Sequence, residues 1–349
     1  MAARLAKVLG IRDVFTFAAE PELAGELFPG RSVRAHRLGL HPVGRRNWQW
    51  LLPAMPRGWS RADLSPYEVV ITSTHACANA IRVRPGAVHI SYCHTPMRYA
   101  WEWRSEIRRL PAALRPPWPA IAAALRRADR NWADNVTVFI ANSHHVAGRI
   151  QACYGRDATV VHPPVDTAFW SPDAAVRRES FFLVAGRLVA YKRPDIAVHA
   201  ARMAGVELVV AGNGPELARL RRMAGERTRF VMDPPARVLR DLYRRSQALV
   251  NPGVEDFGIT MVEAQACGTP VIATAAGGAR EIVIHGETGS LYDGQRPEPL
   301  ARILSDWPSN GMKKFDSRAI QANARRFDTA QFDEGVRRVV EEAVGGGLG

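Results

Sequence analysis

The chain has 349 residues, of which 47% are hydrophobic and 23% charged, a length that favours two domains and a balance that fits an ordinary globular protein. No run of about 18 apolar residues occurs, so no membrane span is expected. The formal net charge is +13, from 47 Lys and Arg against 34 Asp and Glu; nucleic acid, an anionic membrane surface, phosphorylated small molecules or merely an arginine-rich proteome would each account for it.

In chain order, MAARLAKVLG lacks the long apolar core of a secretory leader. It reads as a short helix closed by Gly10, followed by a strand at residues 13–17. A doubly wound domain ordinarily begins with a strand and a glycine-rich turn. Here the chain opens on the helix, so either the domain lacks its first strand, which would leave open sheet edges, or the true start is encoded upstream, which is the expectation. Prolines break the pattern between Leu51 and Gly58. Strands are predicted at residues 67–72 and 88–93; the second runs into His94-Thr95-Pro96, where proline ends the ladder and leaves His94 at a strand's carboxyl end.

Residues 97–132 are basic and aromatic. In the helix closing this stretch, Trp118, Ile121, Ala122, Leu125 and Trp132 recur at helical spacing, with Arg126, Arg127 and Arg130 mainly on the other side. The plainer reading is a helix packed on the sheet; the other is an interfacial patch for an anionic membrane surface. A strand at 136–141 leads to Asn142-Ser143 as a helix cap, and residues 159–161 close the half. Residues 162–166 read as a linker, placing domains at 1–165 and 166–326 with a closing segment at 327–349 that ends in a frayed glycine tail.

The second half repeats the α/β pattern. A strand at 181–185 runs into Gly186-Arg187-Leu188-Val189-Ala190-Tyr191-Lys192, where Arg187 and Lys192 suit a diphosphate, one as a planar fork and the other as a compact charge. Taken alone, a solvated basic turn explains them as well. A strand at 206–211 ends in Gly212-Asn213-Gly214, a turn that would let backbone approach a nucleotide. The densest stretch is 251–274, NPGVEDFGITMVEAQACGTPVIAT. Glu255 and Glu263 flank Phe257-Gly258-Ile259-Thr260, and a helix starting at Gly258 would aim its free amides at an anion. Helix-side Glu263 lies between Val262 and Ala264, and a partly buried carboxylate needs a partner. Paired carboxylates also serve glycosidases; here both lie in one loop–helix unit.

Several classes are unsupported. Cys77, Cys93, Cys153 and Cys267 form no C-x-x-C pair, so neither a zinc site nor a disulfide framework is expected, and a reducing cytoplasm fits. No H-E-x-x-H, Walker-type or G-x-S-x-G motif occurs. The basic residues are dispersed without a recognised module, so no nucleic-acid partner is expected.

The segments VHISYCHTPMRYAWEW, VFIANSHHVAGRI, VVHPPVDTAFW, FFLVAGRLVAYKRPDIAV, AGNGPEL and NPGVEDFGITMVEAQACGTPVIATAAGGAREIV occur in family order across nearly the whole chain. The chain resembles the retaining GT-B glycosyltransferases of family GT4, and within it the WbaZ-like mannosyltransferase branch. That resemblance implies an α/β GT-B fold: two facing Rossmann-like domains with parallel sheets, and a C-terminal helix near 327–343 crossing back onto the first. It implies metal-independent transfer of a hexose from a nucleotide-diphosphate sugar, GDP-mannose favoured, with no cofactor. The acceptor would be a glycan or lipid-linked molecule, met in the cytoplasm or at the inner membrane face, in surface polysaccharide or glycolipid synthesis. By position, His94 and Glu255 would work at the donor sugar, Arg187 and Lys192 on the diphosphate, Glu263 on the ribose, and the amides of Phe257–Thr260 on sugar and phosphate. Two departures stand out. The family's first strand and glycine loop are absent, which also allows a nucleotide-sugar-binding remnant with impaired catalysis. Met232-Asp233-Pro234 stands where relatives commonly carry a glycine after the strand, near the base.

Overall fold

A computed structural model describes residues 1–36, 54–106, 115–310 and 315–346. The beginning of the 51–58 proline segment, the middle of the 97–132 stretch and the last three residues of the glycine tail lie outside them. The chain divides into two compact units: one of residues 1–162 with 332–349, the other of residues 163–331.

The first unit opens on helix α1 (Ala2–Val8), with Gly10 in the left-handed region just beyond it. Its strands fall into two parallel sheets. β1 (Asp13–Ala18) pairs with β2 (Ser32–His36), whereas β3 (Val69–Thr74), β4 (Val88–Cys93), β5 (Val138–Ala141) and β6 (Ala158–Val160) pair in sequence order. β4 is buried on both faces, as a central parallel strand must be. Helix α2 (Trp118–Ala133) and helix α3 (His144–Tyr154) flank β5 in the chain, and Ser143 caps α3 by accepting from the Val146 amide at 3.0 Å.

Helix α2 follows the sequence reading in part: Leu125 and Trp132 of the expected apolar face pack on a core cluster with Met97 and Ala100. Its buried residues are Ala122, Asp129 and Ala133, and Ile121 is 41% exposed. Residues 122, 129 and 133 share one face at helical spacing; Ile121 lies a residue off that line. The arginines are not simply on the far side: Arg126 donates to the Ala100 carbonyl and Arg130 to that of Cys153. At the centre of the face Asp129 accepts from the Trp101 indole at 2.8 Å and the Tyr154 hydroxyl at 2.7 Å. Burial pushes its carboxyl up to about 6.

The second unit is a doubly wound α/β domain. Its strands are β7 (Phe181–Ala185), β8 (Glu207–Ala211), β9 (Thr228–Val231), β10 (Leu249–Asn251), β11 (Val271–Thr274) and β12 (Gly289–Tyr292). They form one parallel sheet in the order β12-β11-β10-β7-β8-β9. The period of two along β7 sends Phe181 and Leu183 into one buried layer and Phe182 and Val184 into the other. Full burial of each such side chain contributes roughly 1.5–3 kcal/mol. The helices that matter for the site are α4 (Pro194–Ala204), α5 (Ala236–Arg245) and α6 (Ile259–Ala266). Strand order reverses between β7 and β10, the switch point beside which such sheets hold ligands.

The last helix, α7 (Thr329–Gly346), starts at the second unit's Thr329, whose amide donates to Val165. From Phe332 it belongs to the first unit. There Phe332, Val336 and Val339 pack with Leu5 of α1 and with Ile90, Tyr92 and Ile140 of the sheet. Arg4 forks onto Asp333, with Nε 2.7 Å from Oδ1, so α1 and α7 are tied by charge as well as by apolar contact.

Candidate functional site: a basic cleft at the switch point of the second sheet

The site is built by close backbone approaches that only glycine permits. β7 ends at Gly186, whose φ of +120° turns the chain into Arg187 and Leu188. A Cβ on Gly212 would lie 2.0 Å from the Gly186 carbonyl oxygen, and one on Gly214 would lie 2.3 Å from that of Leu188. The β8 turn therefore lies flat against the β7 turn, and the Leu188 amide donates to Asn213 at 2.8 Å. Gly212 and Gly214, which the sequence reading sets beside a nucleotide, pack on one side against the loop that carries Arg187. Gly253, which the sequence reading passed over, plays the same part for Lys192: a Cβ there would lie 2.6 Å from the Lys192 Cα.

The 251–274 stretch is held likewise. The Gly278 amide donates to the Glu255 carbonyl at 2.9 Å. A Cβ on Gly277 would lie 2.3 Å from that oxygen, and one on Gly278 would lie 2.2 Å from the Phe257 carbonyl. The glycine pair thus fixes the backbone of Glu255 to Phe257. Phe257 is 3% exposed and its ring meets Phe327 edge-on at 5.4 Å, so the ring serves the core. Gly258, at φ +105°, starts α6 without a side-chain cap. The amides of Ile259 and Thr260, in its first turn, have no intrahelical acceptor.

These loops bring Gly186, Arg187, Lys192, Asn251 and Thr260 around one small cleft. Lys192 Nζ lies 2.9 Å from Glu255 Oε1, and Glu255 is only 8% exposed. Arg187 is exposed, with no ion pair among the described residues. Glu263, one turn into α6, is half-buried and accepts from the Tyr243 hydroxyl at 2.9 Å. Burial pushes its carboxyl up to about 7 against the opposing pull of Tyr243 and of Lys192. The structure thus gathers Arg187, Lys192, Glu255, Thr260 and Glu263 at one end of one sheet: two cations, two carboxylates and a helix N-terminus. Such a set takes an anion and hydroxyl groups together. Among the described residues no group of three His, Cys, Asp or Glu side chains could hold a metal ion.

His94 lies in the first unit, at the end of β4. Its Nε2 is 2.9 Å from Ser73 Oγ, its carbonyl accepts from Asn142 Nδ2 at 3.0 Å, and its ring lies 5.2 Å from that of Tyr92. Ser73 and Tyr243 were not singled out from the sequence. A serine on a strand and a tyrosine in an amphipathic helix carry no local signal; only the folded contacts give them meaning.

The chain belongs to the glycosyltransferase family: the family model for Glycosyltransferase Family 4 matches residues 1–169, and that for Glycosyl transferases group 1 matches residues 169–326. The D-inositol 3-phosphate glycosyltransferase of Kribbella flavida is 32% identical over 345 residues, covering 85% of this chain and 78% of the relative. That of Xylanimonas cellulosilytica is 33% identical over 222 residues, covering 54% and 52%. A GDP-mannose-dependent alpha-(1-6)-phosphatidylinositol monomannoside mannosyltransferase of Mycolicibacterium smegmatis is 33% identical over 218 residues, covering 54% and 56%. Against the latter two the chain spans about half of the relative's length. In fold it is similar to sucrose-phosphate synthase of Thermosynechococcus elongatus, with a TM-score of 0.75 at 19% identity over 98% of this chain and 92% of the other. It is also similar to Anabaena Alr3699/HepE solved with UDP and glucose, with a TM-score of 0.70 at 20% identity over 98% and 96%. The expected two-domain GT-B architecture with parallel sheets is therefore present.

Proposed function

We propose that this protein is a metal-independent hexosyltransferase that moves a sugar, mannose favoured, from GDP-mannose to a glycan or lipid-linked acceptor with retention at the anomeric carbon. One observation carries the reading: Lys192, Arg187, Glu255, Glu263 and the α6 N-terminus meet at the switch point of a doubly wound sheet. Arg187, Lys192 and the amides of Ile259 and Thr260 take the diphosphate and stabilise its charge as the bond to the anomeric carbon breaks. The acceptor oxygen forms the new bond, and its proton passes to the leaving phosphate. A donor's diphosphate competes for Lys192 and so releases the Glu255 carboxylate to sugar hydroxyls, while Glu263 accepts from the ribose. His94 is the catalytic residue proposed in the first unit. The mannosyltransferase relative favours mannose and guanosine. A lipid-linked acceptor at the inner membrane face accords with the basic, aromatic 97–132 stretch, in surface polysaccharide or glycolipid synthesis. No helix among the described residues is long and apolar enough to cross a membrane.

The test is a donor screen that reads released nucleoside diphosphate, with the product anomer read by NMR. Lys192→Ala and Glu255→Ala should each lower transfer by about 100-fold or more, with far-UV circular dichroism unchanged. Full activity in both variants rejects the donor-site assignment. GDP binding without turnover of any donor would reduce the protein to a nucleotide-binding relative.

A further inference from the structure

The Glu263 carboxylate has a partner in the fold that neither the chemistry above nor the sequence accounts for. Tyr243 is fully buried on α5, its ring edge-on to Trp170 at 5.5 Å. Its backbone carbonyl accepts from Thr269 Oγ1 at 2.7 Å and from Ser246 Oγ at 3.0 Å, so the residue is pinned at its main chain as well as at its ring. A buried phenol needs an acceptor, and a half-buried carboxylate needs a donor; each of these two satisfies the other through Tyr243 OH and Glu263 Oε2. Oε1 of Glu263 has no hydrogen bond among the described residues and keeps both lone pairs.

We propose that Tyr243 is a positioning residue for nucleotide binding: by holding Oε2 of Glu263 it fixes the carboxylate and presents Oε1 to the vicinal hydroxyls of the ribose. The inference rests on the donor-site reading and adds to it a determinant of ribose over deoxyribose. The geometry makes the two functions of the carboxylate separable. One oxygen is committed to the protein, the other to the ligand, and an untethered glutamate would have to be ordered at the moment of binding.

The groups that face Glu263 are Tyr243 on α5, Lys192 on the β7 loop and Cys267 just past the end of α6, with Arg244, Arg240 and Arg178 acting on the thiol. Burial holds Tyr243 well above its ordinary range and pushes Cys267 up to about 12. Between pH 5.5 and 8.5, then, Glu263 changes charge while Tyr243 and Cys267 stay protonated.

The experiment is calorimetric binding of GDP and of 2′-deoxy-GDP to the full chain across that pH range. Wild-type protein should prefer GDP. Tyr243→Phe, which removes one oxygen and keeps the ring, should weaken GDP about tenfold and 2′-deoxy-GDP much less. The midpoint of the pH dependence should rise in the variant, because the lost hydrogen bond favoured the charged carboxylate. In a Glu263→Gln background the same substitution should change affinity less than about twofold. Tyr243→Met, which also lacks the hydroxyl, gives the same readouts should the phenylalanine variant unfold. An unchanged preference for GDP and an unchanged pH midpoint in Tyr243→Phe would overturn the inference alone. Failure of wild-type protein to bind GDP or UDP would overturn the donor-site reading, and the inference with it.

Discussion

The two units bury their polar groups in different ways. In the second, both faces of the sheet are apolar, and the polar and charged groups of the site collect at the carboxyl ends of the strands, on loops locked by glycine contacts. In the first, polar groups sit inside. Thr72 and Ser91 both donate to Asn79 Oδ1 at 2.7 and 2.9 Å, His89 joins Thr72 at 3.1 Å, and Asp129 holds Trp101 and Tyr154 together. The second unit buries hydrogen-bonded polar groups too, since Gln265 donates to Thr288 Oγ1 at 3.2 Å and accepts from Asn323 Nδ2 at 2.6 Å, but it also locks the loops of its site by backbone fit. Fit tolerates no added atom, whereas a network is sensitive to pH.

The largest effect expected from this contrast is at Gly212. An added methyl there meets a carbonyl oxygen at 2.0 Å and a backbone φ of +139°. Gly212→Ala should cost about 4 kcal/mol, the sum of overpacking and backbone strain, read as a lower urea midpoint and a lost donor site. A cost under about 1 kcal/mol would break the claim that the loops are locked by fit.

The next is the acid response of the first unit. Burial, opposed by the Asn135 carbonyl, lowers His89 from an ordinary 6.5 to about 4. In the folded state His89 stays neutral while the unfolded chain protonates, so stability is present above 6.5 and falls as pH drops towards 4, by about 3 kcal/mol in all. Asp129 has the opposite sign. Raised from 3.8 to about 6, it contributes fully below 3.8 and loses its contribution as pH rises through 6. The two therefore oppose each other between about pH 4 and 6. His89→Gln should remove the acid slope in urea titrations and expose the opposite slope of Asp129, with stability increasing as pH falls from 6 to 4; an unaltered profile would show that the buried histidine does not set it.

The smallest of the three is Asp129→Leu. It leaves the Trp101 indole and the Tyr154 hydroxyl without their acceptor, at a cost of about 2 kcal/mol. Thermal unfolding checks the size. A neutral or stabilising result would mean that the carboxylate serves position and not stability, which would sharpen the contrast with the glycine-locked loops.

Much of the architecture was legible in the sequence because parallel strands buried on both faces read as short apolar runs. Residues 88–93 and 181–185 match the observed strands end to end. β2 and β12 were not legible: Ser32–His36 is polar and half-exposed, and Gly289–Tyr292 begins with a glycine on which a Cβ would lie 2.0 Å from the Val271 carbonyl oxygen. Helix α2 was read correctly as amphipathic, with Ala122, Leu125 and Trp132 turned inward; the buried Asp129 was not legible, because it inverts the rule that charges lie outside.

By itself, the sequence determined the α/β class, the carboxyl-end location of Arg187, Lys192, Glu255 and Glu263, and the family. Periodicity and motif spacing are local properties, and they survive without coordinates. What only tertiary structure decided were the partners: Lys192 with Glu255, Glu263 with Tyr243, His94 with Ser73, and Gly212 with Gly186. Each pair joins residues about 20 or more positions apart in the chain. A hydrogen bond or backbone contact across that separation depends on how strands and loops are placed in space, which no local pattern records.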